Sequence, residues 1–418
     1  MMITKITPQA SFGKNYITVD VGASVPEGSL KLLAKDEKGE TVAKSGATVF
    51  NKGDKRNEEL FEQRIAEKIA GFYNENKDAI IARDPEGENG KTDVVIGYPG
   101  PIKAINHGDK VSNGPALTNF YYDDSRSDEQ RFKNPVNGSM IDSILLQRGV
   151  NIGQTRHVND MAAGGASVLQ FLVKEYPEVL KEGNSVLFLY PGGGLGSGEI
   201  MIDKDNIKVR PTEKQHTYSY VKQEDGSYKI EHLERNVQLP GLLKNFANAA
   251  ISEDKSELKK AIMTNENGMI MDNYAEFEKE YPGILTQDEH AKASHKAIVS
   301  YMEALSQIVA RQISNTNTDT VVVTGKIANG IAKSVAKNPY FEGKTFGDVL
   351  KEYAFNSLPQ VGQNLLSTNL ETFKEKLTVI MIPIENNTEG AYLLANATQV
   401  GNPPKWYNTP KSSLGLSS

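Results

Sequence analysis

Cysteine is absent from the 418 residues, which excludes disulfides, thiolate metal sites and cysteine nucleophiles outright. Histidine is scarce. The six residues His107, His157, His216, His232, His290 and His295 are dispersed and never take the HExxH spacing of a helical zinc site. No apolar run approaches the length of a membrane span, and Met1-Met2-Ile3-Thr4-Lys5 lacks the apolar core of a signal peptide, so a cytoplasmic protein with no membrane partner is expected. Charge of one sign is lacking too: 47 Lys and Arg against 53 Asp and Glu leave a net −6, with the basic residues scattered. No nucleic-acid partner is expected from such a surface. What is present is ordinary for a globular chain, 38% hydrophobic and long enough for two sizeable domains.

The chain is organised around Arg156-His157-Val158-Asn159-Asp160-Met161-Ala162-Ala163-Gly164-Gly165. It reads as the end of a buried strand, a paired amide and carboxylate, and the small-residue opening of a tightly packed helix. A carboxylate at a strand end lies where open α/β sheets place their chemistry. A structural helix cap would account for an isolated Asn-Asp pair equally well.

Two other stretches share one pattern, apolar strand, glycine-bearing loop, strand. The first is Tyr16-Ile17-Thr18-Val19-Asp20-Val21-Gly22-Ala23-Ser24 followed by a strand over Ser29 to Ala34. The second runs from Ser185 through Gly192, Gly193, Gly194, Gly196 and Gly198 to Ile202. Neither fits a P-loop or a dinucleotide fingerprint, which need a helix directly after the glycines. Glycines at alternate positions leave backbone N–H groups open to an anion, although a ligand-free hairpin has the same look. Their recurrence suggests a duplicated architecture.

Between them, an amphipathic helix is expected from Leu60, with Phe61, Ile65, Ile69 and Phe72 on one face. A buried strand from Asp93 breaks at Gly97-Tyr98-Pro99-Gly100-Pro101, and Asn106 to Phe120 reads as loop. A hairpin is expected at Glu224-Asp225-Gly226-Ser227, then mainly helix from Leu239 to Arg311. Strands are expected at Thr320 to Thr324 and Leu377 to Ile384, and helices near Ile327 and from Gly390. The tail from Gly401 is Pro- and Ser-rich and is expected to be disordered or laid over the surface.

In order, these segments resemble the ROK family of sugar kinases within the actin-like ATPase superfamily. Asp20-Val21-Gly22-Ala23-Ser24 is similar to its first phosphate loop and Gly97 to Pro101 to its Gly-x-Pro-Gly segment. Asn159-Asp160 resembles its Asn-Asp pair, and Gly192 to Gly198 its second phosphate loop. Glu213-Lys214-Gln215-His216 is similar to its Glu-x-Gly-His element, His232-Leu233-Glu234 to its Cys-Leu-Glu segment, Val322 to Gly325 to its adenosine loop, and Glu389-Gly390-Ala391 to its closing helix.

The resemblance implies an α/β, two-lobed actin-like ATPase fold of the ribonuclease H-like type, with duplicated lobes and a cleft between them. Residues 1–160 with 386–418 would form one lobe and 161–385 the other. It implies an ATP-dependent kinase acting on a hexose, glucose first, with fructose or an N-acetylhexosamine as alternatives. Asp160 would be the catalytic base, and Asn159, Pro99, Gly100, Glu213, His216 and Glu234 would bind sugar. Asp20, Gly22, Ser24, Gly192, Gly193, Gly194, Gly196, Gly325 and Lys326 would bind ATP, with Asp20 holding Mg²⁺ through water. No zinc is expected, because the family's zinc-binding cysteines are missing. Relatives are often homodimers.

Ala23 stands where the first loop usually has a second Gly, Gly193 replaces a Thr, Lys326 replaces a Gly, and Ala116 stands at an Asn of the sugar segment. These departures support the alternative of a pseudo-kinase that binds sugar or nucleotide without transfer. A sugar-responsive regulator is weaker, since 15 residues before Tyr16 are too few for a helix-turn-helix.

Overall fold

A computed structural model describes residues 15–22, 28–36, 38–49, 58–81, 90–100, 102–107, 110–115, 138–192, 194–212, 218–222, 228–251, 290–316, 318–358, 369–382, 387–400 and 405–416. In chain order the elements are β1 (Asn15–Gly22), β2 (Ser29–Lys35), β3 (Thr41–Thr48), α1 (Glu58–Ile81), β4 (Thr92–Tyr98), β5 (Ile102–His107), β6 (Lys110–Pro115), α2 (Gly138–Gln147), β7 (Ile152–Asn159) and α3 (Asp160–Glu175). Then come β8 (Ser185–Pro191), β9 (Leu195–Ile202), β10 (Asn206–Thr212), β11 (Tyr218–Lys222), β12 (Tyr228–His232), α4 (Glu234–Val237), α5 (Leu239–Ile251), α6 (Ala291–Asn315), β13 (Thr318–Thr324) and α7 (Lys326–Lys337). The chain ends with α8 (Phe346–Ser357), α9 (Leu370–Lys376), β14 (Thr378–Ile382), α10 (Asn387–Leu394), β15 (Thr398–Val400) and β16 (Trp406–Pro410).

The chain forms two compact units. Unit 1 comprises 1–182, 201–211 and 386–418; unit 2 comprises 183–200 and 212–385.

In unit 1 the sheet order is β3-β2-β1-β4-β7. β1 pairs antiparallel with β2 and parallel with β4, and β4 pairs parallel with β7. Parallel strands buried on both faces read as near-continuous apolar runs, as β1 and β4 do apart from Asn15, Thr18 and Asp20 in β1 and the opening Thr92-Asp93 of β4. Successive side chains point to opposite faces. Ile17, Val19, Val94 and Ile96 pack with Phe61, Ile65, Ile69 and Phe72 of α1 and with Ile141 and Leu145 of α2. Tyr16, Val95 and Val158 pack instead with Ala162, Ala163 and Ala166 of α3 and with Ala391 and Leu394 of α10. Full burial of each large apolar side chain contributes about 1.5–3 kcal/mol.

The small residues of α3 and α10 have a reason. A Cβ on Gly390 would overlap the Ala163 carbonyl oxygen and come 2.7 Å from Ser167 N, so the two helix backbones are in direct contact.

Unit 2 repeats the plan. Its strands run β14-β13-β8-β9, with β13 parallel to both β8 and β14, the same order as β7-β4-β1-β2. Its core joins Leu187, Leu189, Val321 and Val323 to Leu242 and Phe246 of α5 and to Ile298, Met302, Leu305 and Val309 of α6. The expected duplication is therefore present in the strand order.

Three readings are corrected. Part of the stretch from Asn106 to Phe120 is not loop: β5 and β6 form an antiparallel hairpin with Ile102 opposite Pro115. Gly196 and Gly198 lie inside β9, so the second glycine loop proper ends at Gly194. The tail contributes a strand, β16, paired antiparallel with β10. The hairpin expected around Gly226 is borne out by the antiparallel pairing of β11 and β12, while its tip lies outside the described residues. Among the described residues no helix is long and apolar enough to cross a membrane.

Candidate functional site

The Asn159-Asp160 pair sits where β7 becomes α3. Asn159 keeps an extended backbone (φ −71°, ψ 141°), so its side chain folds back over the helix start. Its Oδ1 accepts from Met161 N at 2.8 Å and Ala162 N at 3.3 Å, while its Nδ2 donates to the Gly100 carbonyl at 2.7 Å. One carboxamide thus caps α3 and fastens the Gly-Pro loop. Gly100 has φ 127°, a backbone conformation that favours glycine. Asp160 opens α3 half-buried, its Oδ1 accepting from Met161 N at 2.8 Å, at the positive end of the helix dipole.

Asp20 lies near the end of β1 and is buried. Its carboxylate accepts from Lys31 Nζ on β2 and from Asn387 Nδ2 at the start of α10, each at 3.2 Å. Gly22 closes the strand, and a Cβ there would overlap Ser29 Oγ. Ala23 and Ser24 lie outside the described residues.

The strand register draws these groups to one edge of unit 1. Asp20 is level with Gly97, and Tyr98 is level with Asn159. Asp20, the Gly97 to Gly100 turn and Asn159-Asp160 therefore occupy the carboxyl ends of three neighbouring parallel strands, where open α/β sheets bind ligands.

In unit 2 the loop from β8 to β9 is held by its own backbone. Gly192 N donates to Gly194 O at 2.7 Å, and Leu239 N donates to Gly192 O at 3.0 Å. Glu234, expected on a sugar, here accepts Leu195 N with Oε1 at 3.0 Å, and its Oε2 stands 3.9 Å from His232 Nδ1. A Cβ on Gly194 would come 2.8 Å from Glu234 Oε1, so glycine lets the carboxylate close over the loop. Gly193, Glu213 and His216 lie outside the described residues.

At the same edge of that sheet, Gly325 follows β13 and precedes α7 with φ 104°. No side chain caps α7, which leaves the first-turn amides of a 12-residue helix to a ligand or solvent. Lys326 is exposed beside them.

Sequence reasoning missed three residues. Asn387 and Lys31 hold Asp20, and Asn329 donates through Nδ2 to Gly325 O at 2.8 Å and to Ile382 O at 3.1 Å, bracing the β13–α7 turn. Only Lys31 left a trace, as a charge interrupting the apolar strand Ser29 to Ala34.

The chain has the fold of solved glucokinases and of a solved ROK family transcriptional regulator. A glucokinase from Balamuthia mandrillaris in complex with glucose is similar at TM-score 0.55 and 14% identity, over 92% of this chain and 95% of that one. A ROK family transcriptional regulator, a homolog of the E. coli MLC protein, is similar at 0.53 and 11% identity, over 91% and 77% of the two chains. Leishmania braziliensis glucokinase gives 0.50 and 16% identity over 91% and 92%. No protein-family model matches the sequence, and no curated protein matches it.

Proposed function

We propose that the chain is a ROK-family kinase that transfers the γ-phosphoryl group of ATP to a hydroxyl of a hexose, with glucose the first candidate and fructose or an N-acetylhexosamine the alternatives. The observation that carries the reading is the shared strand-end edge of unit 1, which presents Asp20, Gly100, Asn159 and Asp160 in the order of the family's motifs.

Phosphoryl transfer asks a protein for positioning and for neutralisation of charge on the moving group. Asp160 would accept the proton of the attacking hydroxyl as general base. Asn159 spends its oxygen on the α3 cap and one amide hydrogen on Gly100, so its second amide hydrogen is the one proposed to orient the sugar. Pro99, Gly100, Glu213, His216 and the Oε2 oxygen of Glu234 would complete the sugar contacts. Gly22, Ser24, Gly192, Gly193, Gly194 and Gly196 would meet the phosphates, and Gly325 and Lys326 the nucleoside end.

Asp20 suits Mg²⁺ held through water. That ion keeps several waters and needs only one or two carboxylates beside the phosphates, and the Lys31 partner of Asp20 is more than half exposed and displaceable. When bound, the ion supplies positive charge to the triphosphate.

The test is ADP release from Mg-ATP across a panel of hexoses and N-acetylhexosamines, with Asp160→Asn beside the wild type. Sugar-dependent release that falls at least about 10³-fold in the variant supports the base role. Retained turnover in the variant removes Asp160 from it. A second reading, a sugar-responsive regulator or pseudo-kinase, is favoured by the Gly193, Ala23 and Lys326 departures. It predicts sugar binding with no ADP release by the wild type.

A further inference from the structure

Unit 1 contains a cavity of about 280 Å³ that none of the residues proposed for phosphoryl transfer lines. Gly138 and Asp142 of α2, Thr155, Arg156 and His157 of β7, and Gln399 of β15 form its wall. It lies along the outermost strand of the unit 1 sheet.

His157 is only 9% exposed, and its Nδ1 is buried without a hydrogen-bond partner. The ring is fixed by stacking on Tyr98, with centroids 5.7 Å apart, and by Gly138, where a Cβ would overlap Nε2. Asp142 Oδ1 and Thr155 Oγ1 are likewise buried and unpaired. These two lie near enough for the hydroxyl to hold the carboxyl down somewhat against the larger upward push of burial, yet outside hydrogen-bond geometry. Buried polar groups in native proteins are almost always paired, by protein, water or ligand. The three atoms themselves lie out of reach of water, but the side chains that carry them form the wall, and with Arg156 and Gln399 beside them that wall suits something that carries hydrogen-bonding groups.

The wall also limits what that is. Asp142 repels an anion. Arg156 repels a cation, although its Nη1 is engaged by the carbonyls of Leu394 and Ala397 at 3.2 and 2.9 Å. Burial lowers the His157 imidazole to about 4, so at neutral pH the ring is uncharged and offers one donor and one acceptor nitrogen. A hydroxyl both donates and accepts, and so matches a carboxylate, a neutral imidazole and a threonine alike. The volume falls just under the roughly 300 Å³ at which drug-sized pockets begin, which suits a single ring or a short polyol.

We propose that this cavity binds a neutral polyol of monosaccharide size through His157, Asp142 and Thr155, at a site separate from the residues assigned to phosphoryl transfer.

The 418-residue chain, carrying ¹⁵N-labelled histidine, is titrated with myo-inositol and with sorbitol, using acetate and ethylammonium as charged controls. The His157 ring nitrogens are identified by their loss in His157→Gln. A saturable shift of those nitrogens with a polyol is expected, weakened about tenfold by Thr155→Val and unchanged by Asp160→Asn. Asp142→Ala serves as the second variant should Thr155→Val fail to fold. No response to either polyol at about 100 mM, where even a millimolar site would be filled, means water alone occupies the cavity and overturns the proposal. An equal response to a charged control, or one that both wall variants leave intact, overturns it as well. ADP release plays no part in this readout, so its failure leaves the kinase reading standing, and the reverse.

Discussion

Asn159 carries two jobs on one side chain, and they separate by substitution. Asn159→Ala removes the cap of α3, worth about 1 kcal/mol, and leaves the Gly100 carbonyl without its donor, adding a comparable amount. A loss of about 2 kcal/mol in urea unfolding, with an unchanged m-value, is the expected result. Asn159→Asp keeps the cap acceptor but not the Gly100 donor, so about half that loss is expected. Equal losses in the two variants would show that the Gly100 bond, not the cap, carries the stability. Glu234 offers a parallel case for function. Glu234→Gln retains an oxygen to accept Leu195 N, whereas Glu234→Ala frees the loop. If the chain is the proposed kinase, its apparent KM for ATP should therefore rise in the Ala variant and stay near wild type in the Gln variant. A rise of equal size in both would mean that the carboxylate charge matters at this position and loop bracing does not.

At the scale of elements, α3 and α10 meet backbone to backbone. Gly390→Ala must push the two helices apart, because the added Cβ meets backbone on both sides and no flexible side chain can yield. A destabilisation of about 2–3 kcal/mol is expected from such overpacking, read as a drop in the urea midpoint; a change below 0.5 kcal/mol would mean that α10 slides freely on α3. That contact was legible in outline, since Ala162-Ala163-Gly164-Gly165 and Gly390-Ala391 announce tight packing. The buried strands were legible for a related reason. β1, β4, β8 and β13 are covered on both faces and so are written as apolar runs. Strands written without an apolar run were not. β3, Thr-Val-Ala-Lys-Ser-Gly-Ala-Thr, is exposed or half-exposed at every position, and no hydrophobic alternation betrays it. β5 and β6 carry Lys103, Asn106, Lys110 and Asn113, and β16 ends in proline, a residue usually read as a stop. Side-chain partners were less legible still. That Asn387 reaches Asp20 follows from α10 returning to the end of β1, a tertiary fact 367 residues removed in sequence.

Across the whole molecule, acid should weaken the fold through His157. An exposed imidazole titrates near 6.5, whereas burial holds that of His157 at about 4 in the folded chain. Above pH 6.5 both states are neutral and the group adds no pH dependence. Between 6.5 and 4 the unfolded chain takes up a proton that the folded chain refuses, so stability declines as the pH falls through that window. At about 1.4 kcal/mol per pH unit the full decline approaches about 3.5 kcal/mol. Asp142 acts in the opposite direction, because burial raises its carboxyl and the folded state then binds the proton first in acid. Total stability against pH therefore mixes the two, and the His157 contribution is isolated only as a difference. Urea midpoints for wild type and His157→Gln, measured from pH 7.5 to 4.5, should differ by a constant above pH 6.5. Below it they should converge or cross, as the wild type alone pays for refusing the proton. A difference that stays constant down to pH 4.5 would show that the folded protein accepts a proton on this ring as readily as the unfolded chain does. The ring would then be hydrated in the fold, and a cavity already filled by water would replace the neutral, unpaired imidazole on which the polyol site depends.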